Sequence, residues 1–213
     1  MRNRLAALAA LTVIIAALPA AARSSAPPAP KPQITDPAGD ANGVNDQQQG
    51  AGLAQGVGVS TPADVSSADI RSVLFQTVYK SVRSHHKTVR VFNGFTVTMT
   101  LSAPPDSVDL YDVSAGAGLP GCALGVDFWY STSALAYNRA QCTPASAGAG
   151  IAPEVDLHAH AVVRGHSIVW TVPANALPQG CTFFRLFAFT SPLDTVNLDE
   201  AYGAFSTTYT VGQ

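Results

Sequence analysis

Residues 95–101 alternate apolar and polar side chains with a period of two. Phe95, Val97, Met99 and Leu101 fall on one side of this segment, and three threonines fall on the other. Because successive side chains of a β-strand point to opposite faces of a sheet, the pattern predicts a strand with those four residues in the core. No segment shows a sustained helical period, so this alternation is the strongest constraint on the fold.

Further strand signals are rich in Val, Thr and aromatic residues and are separated by Gly, Pro, Asp or Ser. They cover residues 68–79, 88–102, 108–113, 123–131, 157–163, 166–172, 181–190 and 206–211. The sequence therefore predicts an all-β fold, a two-sheet antiparallel β-sandwich of the jelly-roll or immunoglobulin-like type.

The N-terminus has the features of a secretion signal. Positive charge in the first four residues precedes an apolar run at 5–18, which is too short for a good membrane span, and small residues follow it. We place cleavage after Ala22, a Pro-rich disordered spacer at 23–32 and a single domain at 33–213. We therefore expect a secreted, extracellular protein that does not stay in the membrane after cleavage.

Charge argues against two classes of partner. The chain carries 12 basic and 14 acidic residues, and the signal removes two of the basic ones. This balance gives no bulk attraction to nucleic acid or to an anionic membrane, so we expect neither as a partner. One cationic segment stands out between two strong strands: Lys80, Arg83, His85, His86, Lys87 and Arg90. It is either a solvated hairpin tip that blocks edge-to-edge aggregation or a site for an anionic cell-wall polymer.

Three cysteines enter an oxidising compartment, where a disulfide is expected and one thiol is left over. We predict that Cys122 pairs with Cys142, because the short polar loop between them closes readily and stabilises by roughly 3 kcal/mol in the entropic model. Cys181 begins an apolar run, so we predict that it stays reduced and buried.

An acidic, turn-rich segment follows the spacer. Asp36, Asp40 and Asn42 offer oxygen ligands close together in sequence, glycines lie between and after them, and Asp69 can return from the neighbouring strand. Calcium takes about six to eight such oxygens, so these residues predict a calcium site. The alternative is an Asx-rich turn whose carboxylates cap backbone amides.

A second possible metal site combines Asp156, His158 and His160, which share one face at a strand period and could hold zinc or copper. A two-residue hairpin loop predicted at 164–165 places His166 on the opposite face. The pattern therefore favours a polar, solvent-facing strand over a three-histidine site.

Trp129 is the best candidate for ligand contact. Apolar side chains in residues 124–131 alternate with Asp127, Trp129 and Ser131, so these three share the more polar face. Sugar rings stack on Trp, and a carboxylate and a hydroxyl can orient them. The alternative is a partly buried packing role for Trp129, whereas Trp170 is predicted to lie in the core.

Four pieces of the chain form a recognisable set: the Asp-Pro-Ala-Gly-Asp opening at 36–40, the strand start at 68–70, the segment 98–102 and the aromatic strand at 128–130. In these pieces the chain resembles a group of small secreted bacterial β-sandwich proteins without an assigned activity. The opening and the Asp-Ile strand also resemble the jelly-roll modules of carbohydrate-binding module family 9 and of DOMON domains. That resemblance implies a calcium site and a ligand-binding role.

No Gly-x-Ser-x-Gly elbow, His-Glu-x-x-His motif or phosphate-cradling glycine loop occurs in the chain. The sequence therefore predicts a secreted, non-catalytic module that is stabilised by calcium and binds an extracellular glycan or cell-wall polymer. Two alternatives stay open. One is a structural or protein-interaction sandwich without a small-molecule ligand, and the other is a metal-dependent enzyme that uses Asp156, His158 and His160.

Overall fold

The computed structural model describes residues 29–37, 66–105, 109–118, 125–131, 139–143, 155–192 and 199–213. These residues form twelve β-strands in two antiparallel sheets, which confirms the predicted all-β sandwich. The described part of the chain contains no helix with the length and hydrophobicity that crossing a membrane requires.

The first sheet has five strands. They are β1 (Ile34–Thr35), β2 (Ile70–Ser84), β3 (Lys87–Leu101), β8 (His160–Arg164) and β9 (Ser167–Val172), in the spatial order β1-β2-β3-β9-β8. The β2–β3 hairpin is its longest part, because each of these strands has 15 residues.

The second sheet has seven strands. They are β4 (Asp109–Gly118), β5 (Gly125–Tyr130), β6 (Arg139–Thr143), β7 (Val155–Asp156), β10 (Thr182–Pro192), β11 (Asp199–Tyr202) and β12 (Tyr209–Thr210). Six of them follow the order β11-β10-β4-β5-β6-β7, and β12 pairs with β10. This order puts β4 and β5 in the middle of the sheet.

The core lies between the sheets and follows the alternation of the sequence. Phe95, Val97, Met99 and Leu101 are at most 2% exposed, as predicted. Trp170 on β9 is fully buried, which confirms its predicted place in the core. Phe95 meets Phe128 of the opposite sheet edge-to-face with ring centroids 6.3 Å apart, so the two sheets interlock through aromatic contacts.

The predicted disulfide pattern is wrong. Cys181 is buried, with 2% exposed, but it is disulfide-bonded rather than reduced. A bond from Cys181 to either remaining cysteine excludes the predicted pair of Cys122 with Cys142 in the same molecule. Strand order explains the error, because Cys181 directly precedes β10, which pairs with β4, β11 and β12 and so brings distant parts of the chain beside it. Cys122 itself lies outside the described residues.

Candidate binding face

The outer face of the seven-stranded sheet, which points away from the core, carries the most distinctive chemistry of the described residues. Alternation along β4, β5 and β6 directs one polar set outward, and we call the surface that it forms the Trp129 face. Its residues are Asp112, Ser114, Asp127, Trp129 and Gln141. As the sequence predicts, Asp127 and Trp129 lie on the same side of β5.

Strand pairing sets two rows across this face. Asp112 on β4 lies opposite Phe189 on one side and opposite Trp129 on the other. In the next row, Ser114 lies opposite Phe187 and Asp127. Directly opposite residues have Cβ atoms about 4.5 to 5.5 Å apart, so each β4 side chain is flanked closely by both neighbours.

Asp112 is buried although it points away from the core, with only 3% of its surface exposed. Burial between two aromatic neighbours raises the pKa of its carboxyl to about 8, the hydrogen bond from Ser114 lowers it, and the charge of Asp127 raises it. The Ser114 hydroxyl donates to Asp112 Oδ1 at 2.6 Å. Asp112 therefore carries its proton at neutral pH. Its neighbour Asp127 is less buried than Asp112 and keeps part of its surface exposed.

Gln141 extends the polar row onto β6. It lies opposite Asp127 and is 3% exposed. Its Nε2 amide has no hydrogen-bond partner among the described residues. Buried donors are nearly always satisfied, so an amide of this kind marks a place where a further acceptor is needed.

Aromatic side chains continue the face toward the sheet edge. The ring of Phe187 lies 4.7 Å from that of Tyr202 and 5.5 Å from that of Phe189, measured between centroids. The Tyr202 hydroxyl donates to Glu200 Oε2 at 2.7 Å, and Tyr202 is 47% exposed. The outer face thus combines an aromatic half on β10 and β11 with a polar half on β4 to β6.

Ser131, the third residue of the predicted ligand site, follows the end of β5 and is fully buried. Trp129 is half-buried, and its backbone carbonyl accepts a hydrogen bond from the Trp170 indole at 3.0 Å. Of the three predicted residues, Asp127 and Trp129 are therefore the two that retain exposed surface.

The described residues include two of the four predicted calcium ligands. Asp36 is half-buried and its backbone N–H donates to the Arg71 carbonyl at 3.1 Å. Asp69 is 3% exposed and its Oδ2 accepts from the Ser102 hydroxyl at 2.5 Å. Asp40 and Asn42 lie outside the described residues, so the calcium site stays a prediction.

Asp199 performs a structural role that the sequence did not single out. Its Oδ2 accepts from the Ile70 backbone N–H at 2.6 Å, and its Oδ1 accepts from the Glu200 N–H at 2.9 Å. Because Asp199 lies on β11 and Ile70 on β2, this side chain joins the two sheets. Its sequence position, next to a glutamate in a short strand, gives no periodic signal for such a role.

The histidines of the second predicted metal site lie at the surface. His158 Nδ1 is 3.6 Å from Asp156 Oδ2, and these side chains are 79% and 59% exposed. His160 is exposed on β8. Within the described ranges, no three His, Cys, Asp or Glu side chains form a group that could hold a metal ion.

The predicted hairpin loop next to these histidines is shifted by one residue. Arg164 pairs with Ser167, so the loop consists of Gly165 and His166 rather than residues 164–165. Gly165 has a φ of 60°, which suits glycine at the first central position of a tight hairpin turn. His166 therefore lies in the turn and not on the inward face of β9.

Comparisons of the chain with protein-family models, with curated proteins and with solved structures gave no match. The chemistry of the Trp129 face is therefore the basis on which a function can be inferred.

Proposed function

We propose that this protein is a secreted, non-catalytic binding module that holds a glycan or cell-wall polymer on the Trp129 face. The observation that carries the proposal is the burial of polar groups on the outer side of a sheet. Asp112 and Gln141 are each 3% exposed there, beside Trp129. Burying an acid and an unsatisfied amide lowers stability, and proteins tolerate such costs mainly at functional sites.

The chemistry of this face suits sugar hydroxyls. Trp129 offers a rigid aromatic surface for stacking, and Asp127 beside it accepts hydrogen bonds from hydroxyl groups. Gln141 lies opposite Asp127 and is 3% exposed, so it belongs with Asp112 to the buried polar row beneath the contact surface. Stacking on Trp129 and hydrogen bonds to hydroxyl groups need no charge on the ligand, so we expect a neutral glycan.

A binding role fits the acids better than a catalytic role. A general acid must reach the bond that it protonates, and the buried Asp112 lies between Phe189 and Trp129. We therefore assign Asp112 to holding the polar row in place through Ser114, and Asp127 to contact with the ligand. Secretion through the N-terminal signal and stabilisation by calcium belong to the same proposal and rest on the sequence.

A pull-down with insoluble neutral polysaccharides tests this function. Wild type and a Phe205→Ala control, which removes an aromatic side chain that is 93% exposed elsewhere, are expected to bind alike. Trp129→Ala is expected to weaken binding by at least about tenfold, as for removal of a central aromatic contact. Absence of binding by wild type to every glycan tested would instead favour a structural sandwich.

A further inference from the structure

The β2–β3 hairpin continues well beyond the sandwich. Strands in globular proteins have about five or six residues, whereas each of these has 15. β9 pairs with β3 only over residues 95–100, so residues 79–92 form strand pairs only with each other. We call residues 79–92 the arm.

The direction of the arm is fixed at its base. The strand register shifts between Thr77 and Tyr79, where Gly94 has a φ of 110°. A side chain at Gly94 would place its Cβ 2.0 Å from the Val172 carbonyl oxygen, so only glycine fits. The Tyr79 hydroxyl also donates to the Gly212 carbonyl at 2.9 Å, which ties the arm to the C-terminal segment.

Core packing does not account for the arm, since every residue from Tyr79 to Val91 is exposed. A two-stranded ribbon alone is only marginally stable, and ordering each of its residues costs conformational entropy. Val82 and Val89 face each other across it, and the Arg90 guanidinium lies 4.6 Å above the Tyr79 ring. These contacts keep the ribbon in shape, but they bury little apolar surface.

Charge sets the arm apart from the rest of the protein. It contains four Lys or Arg residues and no acidic residue. Without those four, the chain has eight basic residues against 14 acidic ones, so its remainder is strongly acidic. Among the described residues, no ion pair involves a cation of the arm. Four like charges on one ribbon repel one another. A negatively charged partner would reduce this repulsion.

The cations lie on both sides of the ribbon. Arg83 and Arg90 are diagonal neighbours on one face, because Arg83 pairs with Thr88 and Arg90 with Ser81. Lys80 and Lys87 lie on the opposite face, by the alternation of side chains along a strand. A flat surface can touch only one of these faces at a time.

From this geometry, we propose that the arm is a second binding site, which takes a linear anionic polysaccharide. A flexible polymer can follow the ribbon and contact cations on both faces, whereas a lipid bilayer meets only one of them. Nucleic acid binding commonly adds aromatic platforms for bases, but the Arg90 guanidinium already stacks on one side of the Tyr79 ring and Phe92 is half-buried. This site is independent of the Trp129 face, because the arm belongs to the five-stranded sheet and the Trp129 face to the seven-stranded sheet.

Binding to dextran sulfate tests the proposal, with uncharged dextran as the matched neutral polymer. Wild type is expected to bind only dextran sulfate, with an affinity that falls as salt rises. The triple variant Lys80→Gln/Arg83→Gln/Lys87→Gln is expected to weaken binding by at least about tenfold at low salt. It should also reduce the slope of log Kd against log salt by about two, because each of the three lost contacts contributes roughly 0.7 to that slope.

A second triple variant controls for overall charge. Lys31→Gln/Arg164→Gln/Arg185→Gln removes three cations that are exposed outside the arm, and it should bind like wild type. Equal weakening by both triple variants would overturn the proposal, as would absence of wild-type binding to dextran sulfate. Binding to anionic phosphatidylglycerol vesicles in place of dextran sulfate would overturn the choice of a polymer. Neither result bears on neutral glycan binding by the Trp129 face, which is measured separately.

Discussion

The indole N–H of Trp170 donates a hydrogen bond to the backbone carbonyl of Trp129, with 3.0 Å between Nε1 and the oxygen. Trp170 is fully buried on β9, and Trp129 lies on β5 of the opposite sheet. The bond therefore anchors the backbone of Trp129 to the core, while its side chain belongs to the outer face. A rigid support of this kind reduces the entropy lost when a ligand binds.

The buried acid on the outer face predicts a specific pH dependence of stability. As pH rises from the usual pKa of 3.8 toward about 8, the unfolded chain loses the Asp112 proton while the folded protein keeps it. The free energy of unfolding therefore falls through this window. Asp112→Asn keeps an uncharged side chain, so it is expected to be more stable than wild type at pH 7, by up to about 4 kcal/mol.

Urea unfolding of both proteins at several pH values between 4 and 8 checks this prediction. The stability gain of Asp112→Asn should shrink as pH falls toward 4, because the unfolded wild type regains part of the Asp112 proton there, and it should vanish below about pH 3, where both states hold the proton. Asp127→Asn should lower the pKa of Asp112, because the Asp127 charge contributes to raising it. A gain that does not vary with pH would show that Asp112 is ionised in the folded protein.

The bridge between the sheets at Asp199 predicts a large loss of stability on truncation. Asp199→Ala leaves the buried Ile70 N–H without its acceptor, and the free energy of unfolding should fall by about 2 to 3 kcal/mol. Asp156→Ala serves as the control, because Asp156 is a 59% exposed carboxylate that caps the His158 N–H locally. Similar thermal unfolding of both variants would contradict the bridging role.

Strand geometry predicts which cysteine Cys181 bonds. β6, which carries Cys142, is separated from β10 by β4 and β5. Three strand spacings amount to about 14 Å, whereas disulfide-linked Cα atoms lie within about 7 Å. Thr182, next to Cys181, pairs with Gly118, four residues before Cys122 in the sequence. We therefore expect a disulfide between Cys122 and Cys181, which non-reducing peptide mapping can identify. A peptide that links Cys142 to Cys181 would refute this assignment.

Calcium is expected to raise the melting temperature of the mature domain. An ion that binds only the folded state stabilises it by about 2.7 kcal/mol at a hundredfold excess over Kd. Asp40→Ala should abolish this response, and Asp156→Ala should leave it unchanged. If the melting curves of wild type with calcium and with a chelator coincide, the acidic segment is an ordinary Asx-rich turn.

Period-two alternation was sufficient to predict the core and the sandwich, because it places residues such as Phe95 and Val97 on the buried face. It could not predict β1 or β7, since a strand of two residues has no period, whereas β12 falls within the strand predicted at 206–211. The burial of Asp112 could not be predicted from the sequence either. It depends on Phe189 and Trp129, which become neighbours of Asp112 only through strand pairing. The disulfide partner depends on strand order in the same way.

Glycan titration followed by NMR of the indole N–H signals tests the central proposal most directly. The chain has two tryptophans, and therefore two such signals. We expect the Trp129 signal to shift with increasing neutral glycan, while the signal of the buried, hydrogen-bonded Trp170 moves much less. Equal shifts of both signals, or no shift of Trp129 at a glycan concentration where the pull-down shows binding, would contradict a binding site on the Trp129 face.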